Sequence, residues 1–310
     1  MAYTSIVELI DNCTDVEELI DRIIAADANE RGINCVDSFK QMKTLWEAML
    51  ASVNNYDGSL KSNSGLSGGD AKKYEDFRNA GGGVVGDLLA NLIKNALKVS
   101  ESNACMKRIV AAPTAGSCGV IPAVLITLYN HRKANLASFQ PTLIKNENVS
   151  KDDNNFTLDD KIVRSLYLSA AVGEVIAFRA SIAGAEGGCQ AEIGAASSMA
   201  ACAFAYLNGG NIEQIMHAGA LALKALLGLA CDPVGGYVEV PCIKRNVTGA
   251  ANAVTSAELA LAGIESRIPF DEVIDAMGEI GRKMDISLRE TSTGGLAMTP
   301  TGRQYLPKQD

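Results

Sequence analysis

The chain has 310 residues, 47% of them hydrophobic, enough to bury a large core in one domain or two. Its 28 Lys and Arg against 36 Asp and Glu leave a net charge of −8, which excludes the basic face that a nucleic-acid partner needs. No basic segment followed by an apolar core opens the sequence, and the longest apolar runs, such as 218–230 with Lys224 inside it, fall short of the roughly 20 residues of a membrane helix, so a cytoplasmic protein without membrane contact is expected.

Ser5-x-x-Glu8 and Thr14-x-x-Glu17 have the capping-box pattern, and Val16, Leu19, Ile20, Ile23 and Ile24 after the second fall on one helical face. A third helix is predicted over 38–52 and carries Trp46, the only tryptophan. Together these make an N-terminal helical region over 1–55, with a structural role. The Ser, Gly and Asn cluster that follows predicts a flexible loop through 56–80. Gly81 to Gly86 formally matches G-x-G-x-x-G, but polar residues 72–78 stand where a dinucleotide site needs a hydrophobic strand. The plain alternative is a glycine turn feeding a helix over 87–99.

From 81 to 310 the chain predicts one helical catalytic domain, interrupted by a polar insertion at about 134–160. The small, turn-forming segment 111–119 leads into a helix over 120–129. Thr114, Ser117 and the backbone N–H groups there suit a carboxylate, although Ser and Thr also cap helices for stability alone. A helix over 158–180 is followed by Gly184-Ala185-Glu186-Gly187-Gly188-Cys189 and by a helix of very small residues, 190–207, expected at the centre of the core. Apolar spacing predicts another helix over 212–230. Helices over 248–261 and 271–284 precede a loop at 291–297. His131 and His217 read as structural. With one brief alternating stretch at 237–240, the fold class is all-α, with Gly/Pro-rich loops at the helix ends carrying the polar residues.

Eight cysteines in a chain of this kind should not be disulfides. The closest pair is Cys231 and Cys242, so any cluster must gather ligands from distant elements; Cys13, Cys35, Cys105 and Cys202 read as small buried hydrophobes. Cys231 and Cys242 bracket a segment broken by Pro233, Gly235, Gly236 and Pro241, and can be aimed at one point, read here as a metal centre. Cys189, at a helix start, is easily ionised, which suits a metal ligand.

Four collinear motifs carry a resemblance: S-N-A-C-M-K-R-I-V-A-A-P-T-A-G (102–116), G-A-E-G-G-C-Q-A-E-I-G (184–194), C-D-P-V-G-G-Y-V-E-V-P-C-I-K-R-N (231–246) and T-S-T-G-G-L-A (291–297). They resemble the α chain of bacterial iron–sulfur L-serine dehydratases. The resemblance implies a [4Fe–4S] cluster on Cys189, Cys231 and Cys242, whose remaining iron acts as a Lewis acid on the serine hydroxyl. Loss of the α-proton and of water would then yield pyruvate and ammonia. By motif match and chemistry, Ser102, Asn103, Thr114, Gly116 and Ser117 are the candidate substrate contacts; Lys244 and Arg245 are candidates for neutralising cluster or substrate charge, with a surface pair at a helix start as the alternative, and Asp232 and Glu239 are candidates for supporting the ligands from behind. No residue is assigned as the base.

Single-chain relatives carry a further N-terminal domain with a serine/histidine motif that has no counterpart here, which implies a hetero-oligomer with a separate β chain. Some also end in a cysteine that caps the free iron; the absence of one after 297 implies an open iron. An L-cysteine desulfidase of the same superfamily and a non-catalytic cluster-binding sensor are the competing readings. Pyridoxal phosphate is not expected, because its enzymes need an α/β core and a Schiff-base lysine.

Overall fold

The computed structural model describes residues 3–135 and 156–306, so the polar insertion expected at 134–160 lies mostly outside the described residues. Twelve α-helices and no β-sheet are found among the described residues, as the all-α expectation requires. The brief alternation at 237–240 forms no strand; the one isolated bridge joins Cys231 and Arg289.

The first helices are α1 (Ile6–Ile10), α2 (Val16–Glu30) and α3 (Cys35–Asn54). Ser5 caps α1 as expected, accepting from the Glu8 N–H. At α2 the cap lies one residue later than expected: Asp15 accepts from the Glu18 N–H, while Glu18 reaches back to Thr14. The apolar stripe of α2 (Leu19, Ile20, Ile23, Ile24) is buried as its spacing requires. The α1 entry is fixed by α12 (Phe270–Lys283), whose Asp271 accepts from the Ile6 and Val7 N–H groups.

The segment expected as a flexible loop through 80 contains a helix, α4 (Asp70–Asn79). Its sequence is too polar to show a core-facing stripe, but a buried carboxylate fixes its start. Glu101, on α5 (Asp87–Ala104), accepts from the Asp70 and Ala71 N–H groups and from Tyr56 Oη. These donors satisfy part of the N-terminal backbone that a helix leaves unpaired. Upstream, Ser62 and Ser64 donate to Glu239, so the stretch expected to be loose is held at both ends. Gly81–Gly86 follows α4 and not a strand, which removes the context a dinucleotide fingerprint needs.

The remaining helices are α6 (Val120–Asn135), α7 (Leu158–Arg179), α8 (Gly184–Gly187), α9 (Ala195–Leu207), α10 (Ile212–Lys224) and α11 (Cys242–Leu261). Every residue of α9 is buried, with α6, α7, α10 and α11 packed around it. Its alanines and serines allow that closeness: Ser197 Oγ donates to the Gly249 carbonyl on α11 and Ser198 Oγ to the Gly219 carbonyl on α10, both at 2.8 Å. A Cβ on Gly219 would meet Cys202 Sγ at 2.6 Å, so a methyl group there would force the helices apart. The small-residue helix does not start at 190 as a plain α-helix, since Gln190–Gly194 is a π-helical turn running into α9. Likewise α10 ends at Lys224 rather than 230, and α11 begins at Cys242 rather than at 248.

Candidate functional site

Cys189, Cys231 and Cys242 come from three separate segments: the entry to the π-helical turn, the stretch after α10, and the first residue of α11. All three are buried, at 1%, 2% and 4% exposure. Interaction with the neighbouring Cys231 thiol, together with the Arg245 guanidinium, holds the Cys189 thiol below the usual range. The same interaction, with burial, pushes Cys231 upward. Burial pushes Cys242 up to about 12, and the charge of Cys189 adds to it. Three thiols that sense one another's charge therefore share one neighbourhood, with one of them poised toward thiolate.

Backbone pairing and polar side chains fix this arrangement. Cys231 N–H donates to the Leu288 carbonyl and its own carbonyl accepts from Glu290, at 2.8 and 2.7 Å. Arg245 donates to the Ala230 carbonyl (2.7 Å) and to Asp232 (2.9 Å), so its fork spans the entry to Cys231. Asp232 in turn accepts from the Leu296 N–H, and a Cβ on Gly295 would meet its Oδ2 at 2.4 Å, which explains a glycine in the 291–297 motif. On the α11 side, buried Asn246 donates to the Cys242 and Gly116 carbonyls and accepts from the Gly119 N–H, tying 116–119 to the third cysteine.

The predicted substrate contacts divide. Thr114, Gly116, Ser117 and Asn103 are together: Asn103 donates to the Ala115 carbonyl at 3.1 Å, and the Thr114 and Ser117 hydroxyls are 3.1 Å apart. Ser102 lies elsewhere. It is buried against α3, with its hydroxyl toward the Ser52 carbonyl at 3.4 Å, because α5 continues past the expected end at 99 and rotates the side chain inward. Arg245 stands beside Cys189, whereas Lys244 is paired with Asp70 on α4 at 2.6 Å.

Two residues that matter here were not singled out in the sequence. One is Asn246, described above. The other is Glu192, in the π-helical turn, whose Oε1 accepts from Thr114 Oγ1 at 2.6 Å. A Cβ on Gly116 would lie 2.7 Å from Glu192 Oε1, and a Cβ on Gly184 would lie 2.9 Å from Oε2 and 3.1 Å from Cys231 Sγ. Both glycines therefore leave room for a carboxylate between the Thr114 loop and the cysteines. Burial raises the Glu192 carboxyl above its ordinary value, with the Thr114 bond opposing. A Glu three residues after a Cys in a quoted motif was the available signal; nothing in a helical pattern shows that a π-turn aims it at the Thr114 loop.

The other cysteines stand apart in chemistry. Burial pushes Cys118 and Cys202 up to about 12, and Cys202 Sγ donates to the Ile215 carbonyl. Cys13 and Cys105 are half-buried and Cys35 is exposed. Among the described residues, no group of three or more His, Cys, Asp and Glu side chains is gathered as a ready-made site for a metal ion. No helix among them is long and apolar enough to cross a membrane.

The sequence is similar to those of known proteins. Residues 8–297 match the family described as serine dehydratase alpha chain. A Bacillus subtilis (strain 168) protein named probable L-serine dehydratase, alpha chain, is 43% identical over 307 residues, covering 99% of this chain and 95% of the relative. The L-serine dehydratase alpha chain of Peptoniphilus asaccharolyticus is 39% identical, over 96% and 94% of the two chains. L-serine dehydratase 2 of Escherichia coli (strain K12) is 42% identical over 204 residues, which is 66% of this chain and 40% of that protein.

Proposed function

The chain belongs to the serine dehydratase alpha chain family, and from that premise we propose that it is the cluster-bearing subunit of an L-serine dehydratase, forming pyruvate and ammonia together with a separate β chain. The observation that carries the reading is the convergence of three buried cysteines from three segments beside Thr114, Gly116 and Glu192.

The donor set fits a [4Fe–4S] cluster held by Cys189, Cys231 and Cys242. All three ligands are soft thiols, one is already biased toward thiolate, and Arg245 supplies a positive charge beside an anionic group. When bound, the cluster would supply a Lewis-acidic iron toward the leaving hydroxyl.

The protein's own groups do the remaining work. The Thr114 and Ser117 hydroxyls and the backbone at Gly116 offer donors to a carboxylate, held in place by Asn103 and Asn246. Glu192 offers its carboxylate to the substrate ammonium, since Thr114 is the only hydrogen-bond donor it has among the described residues. Burial around the cysteines keeps water from the reacting centre.

The experiment is anaerobic purification with the β chain, followed by iron, sulfide and L-serine turnover assays. Cys189→Ala, Cys231→Ala and Cys242→Ala should each lose iron and sulfide and the ability to form pyruvate, whereas Cys13→Ala keeps both. Full iron content in any of the first three removes that residue from the ligand set. An intact cluster without turnover of L-serine refutes the enzymatic assignment.

A further inference from the structure

A cavity of about 370 Å³ is lined in part by Ser181, by Glu186 and Gly187 of α8, by Gly278 and Arg282 of α12, and by Arg289. None of its lining residues is a cysteine or belongs to the group around Glu192. Its volume is within the range of small-molecule sites.

Two guanidiniums face this space without an anion to hold. Among the described residues, neither Arg282 nor Arg289 forms an ion pair or donates a side-chain hydrogen bond; Glu279 and Asp285 act on them only through longer-range charge. The Arg289 Nε is buried and has no hydrogen-bond partner among the described residues. A buried, charged N–H without an acceptor is costly, and most such groups in folded proteins are satisfied by protein, water or ligand. Glu186 does not fill the role, since it accepts from Ser181 Oγ at 2.7 Å on the same rim. Gly278 keeps the floor open: a Cβ there would stand 3.2 Å from Arg282 Nη1.

We propose that this cavity binds a small monocarboxylate, a compact organic acid whose two oxygens meet the guanidinium forks of Arg282 and Arg289. Planar two-oxygen anions match such forks bidentately. Two positive groups and one negative group line the cavity, so a single negative charge balances them, while a dianion would be repelled by Glu186. The site does not depend on the dehydratase reading. Its walls nevertheless lead to the cysteines: α8 runs through Gly188 into Cys189, and the segment carrying Arg289 is bridged to Cys231. An occupant therefore ties α12 to both cysteine-bearing segments.

The test is calorimetric titration of the full-length chain, alone and with its β chain, using acetate and pyruvate as probes and inorganic phosphate as the dianionic comparison. Both monocarboxylates should bind saturably and more tightly than phosphate. Arg289→Gln and Arg282→Gln should each weaken them about tenfold or more, the size of a lost charge-assisted hydrogen bond. Thermal melts of the variants report whether they fold; Arg282 is exposed, so its replacement leaves the fold intact even where that of Arg289 does not. Thr114→Val should leave acetate binding unchanged. No saturable binding, equal or tighter binding of phosphate, or indifference to both arginine variants overturns the proposal. So does loss of binding in Thr114→Val, which would place acetate at the Thr114 loop, or loss on adding the β chain, which would make the cavity a socket for that partner.

Discussion

The N-terminal helices and the cysteine centre are built on opposite principles. Helices α1–α3 sit on α7 through apolar stripes: Leu19, Ile20, Ile23 and Trp46 are buried among regular helices, and the polar contacts are few and strong. Arg164 of α7, 3% exposed, grips Glu17 and Asp21 of α2, and Trp46 Nε1 donates to Asp159 at 3.1 Å. Around the cysteines, little regular structure spans 225–241, and the chain is held by side chains that bond to backbone groups of remote segments. Asn246, Arg245, Asp232 and Glu239 each join two or more such segments. Apolar packing spreads its contribution over many contacts, so damage stays local. A buried polar tie concentrates it, and losing one partner leaves the others unmet.

The largest expected effect tests the apolar half. Trp46 is fully buried, edge-on to Tyr129 at 5.3 Å. Trp46→Ala should destabilise the chain by about 3–5 kcal/mol in urea unfolding, as large-to-small aromatic substitutions do, while iron per folded protein stays at the wild-type level. Loss of iron together with stability would break the separation between the two halves.

Asn246→Ala comes next and tests the polar half. It unpairs the buried Gly119 N–H and removes the donor to the Gly116 and Cys242 carbonyls. The expected loss is about 2–4 kcal/mol, from unsatisfied buried groups at roughly 1–3 kcal/mol each, partly relieved by water. Here iron content should fall well beyond the loss of stability, because the same side chain sets Cys242 against the 116–119 segment. A variant that is less stable but fully loaded would reduce Asn246 to an ordinary core contact.

What could be read from the sequence follows the same division. The stripe of α2, the small-residue character of α9 and the segmentation into helices were legible, because burial on one face or all faces leaves a period in the residues. Helix ends were less so: α5 and α11 extend beyond the predicted limits, and that extension moved Ser102 inward and put Cys242 on a helix. Glu101 shows why α4 was missed, since its start depends on a carboxylate 31 residues later in the chain rather than on a local cap. At the centre, motifs pointed to the cysteines and Thr114 but not to Glu192 and Asn246. Their importance comes from where a π-turn and the first turns of α11 point them, and neither leaves a mark on composition or spacing.

The smallest expected effect comes from two adjacent residues. Arg245 is half-buried and bonded to two groups at the entry to Cys231, whereas Lys244 is 52% exposed and pairs with Asp70. Lys244→Ala should cost less than about 1 kcal/mol, the usual size of an exposed pair. Its pH dependence has a definite sign. The hydrogen bond from Lys244, with help from Lys73, lowers the Asp70 carboxyl below its ordinary 3.8. A depressed carboxyl stabilises the fold above its unfolded value, and that contribution disappears as pH falls through the folded one. The stability gap between wild type and Lys244→Ala should therefore be level near neutrality, shrink below about pH 4 and narrow with added salt. A gap that widens in acid would mean that Lys244 acts through a group other than Asp70. Loss of iron in this variant would return Lys244 to the cysteine centre beside Arg245.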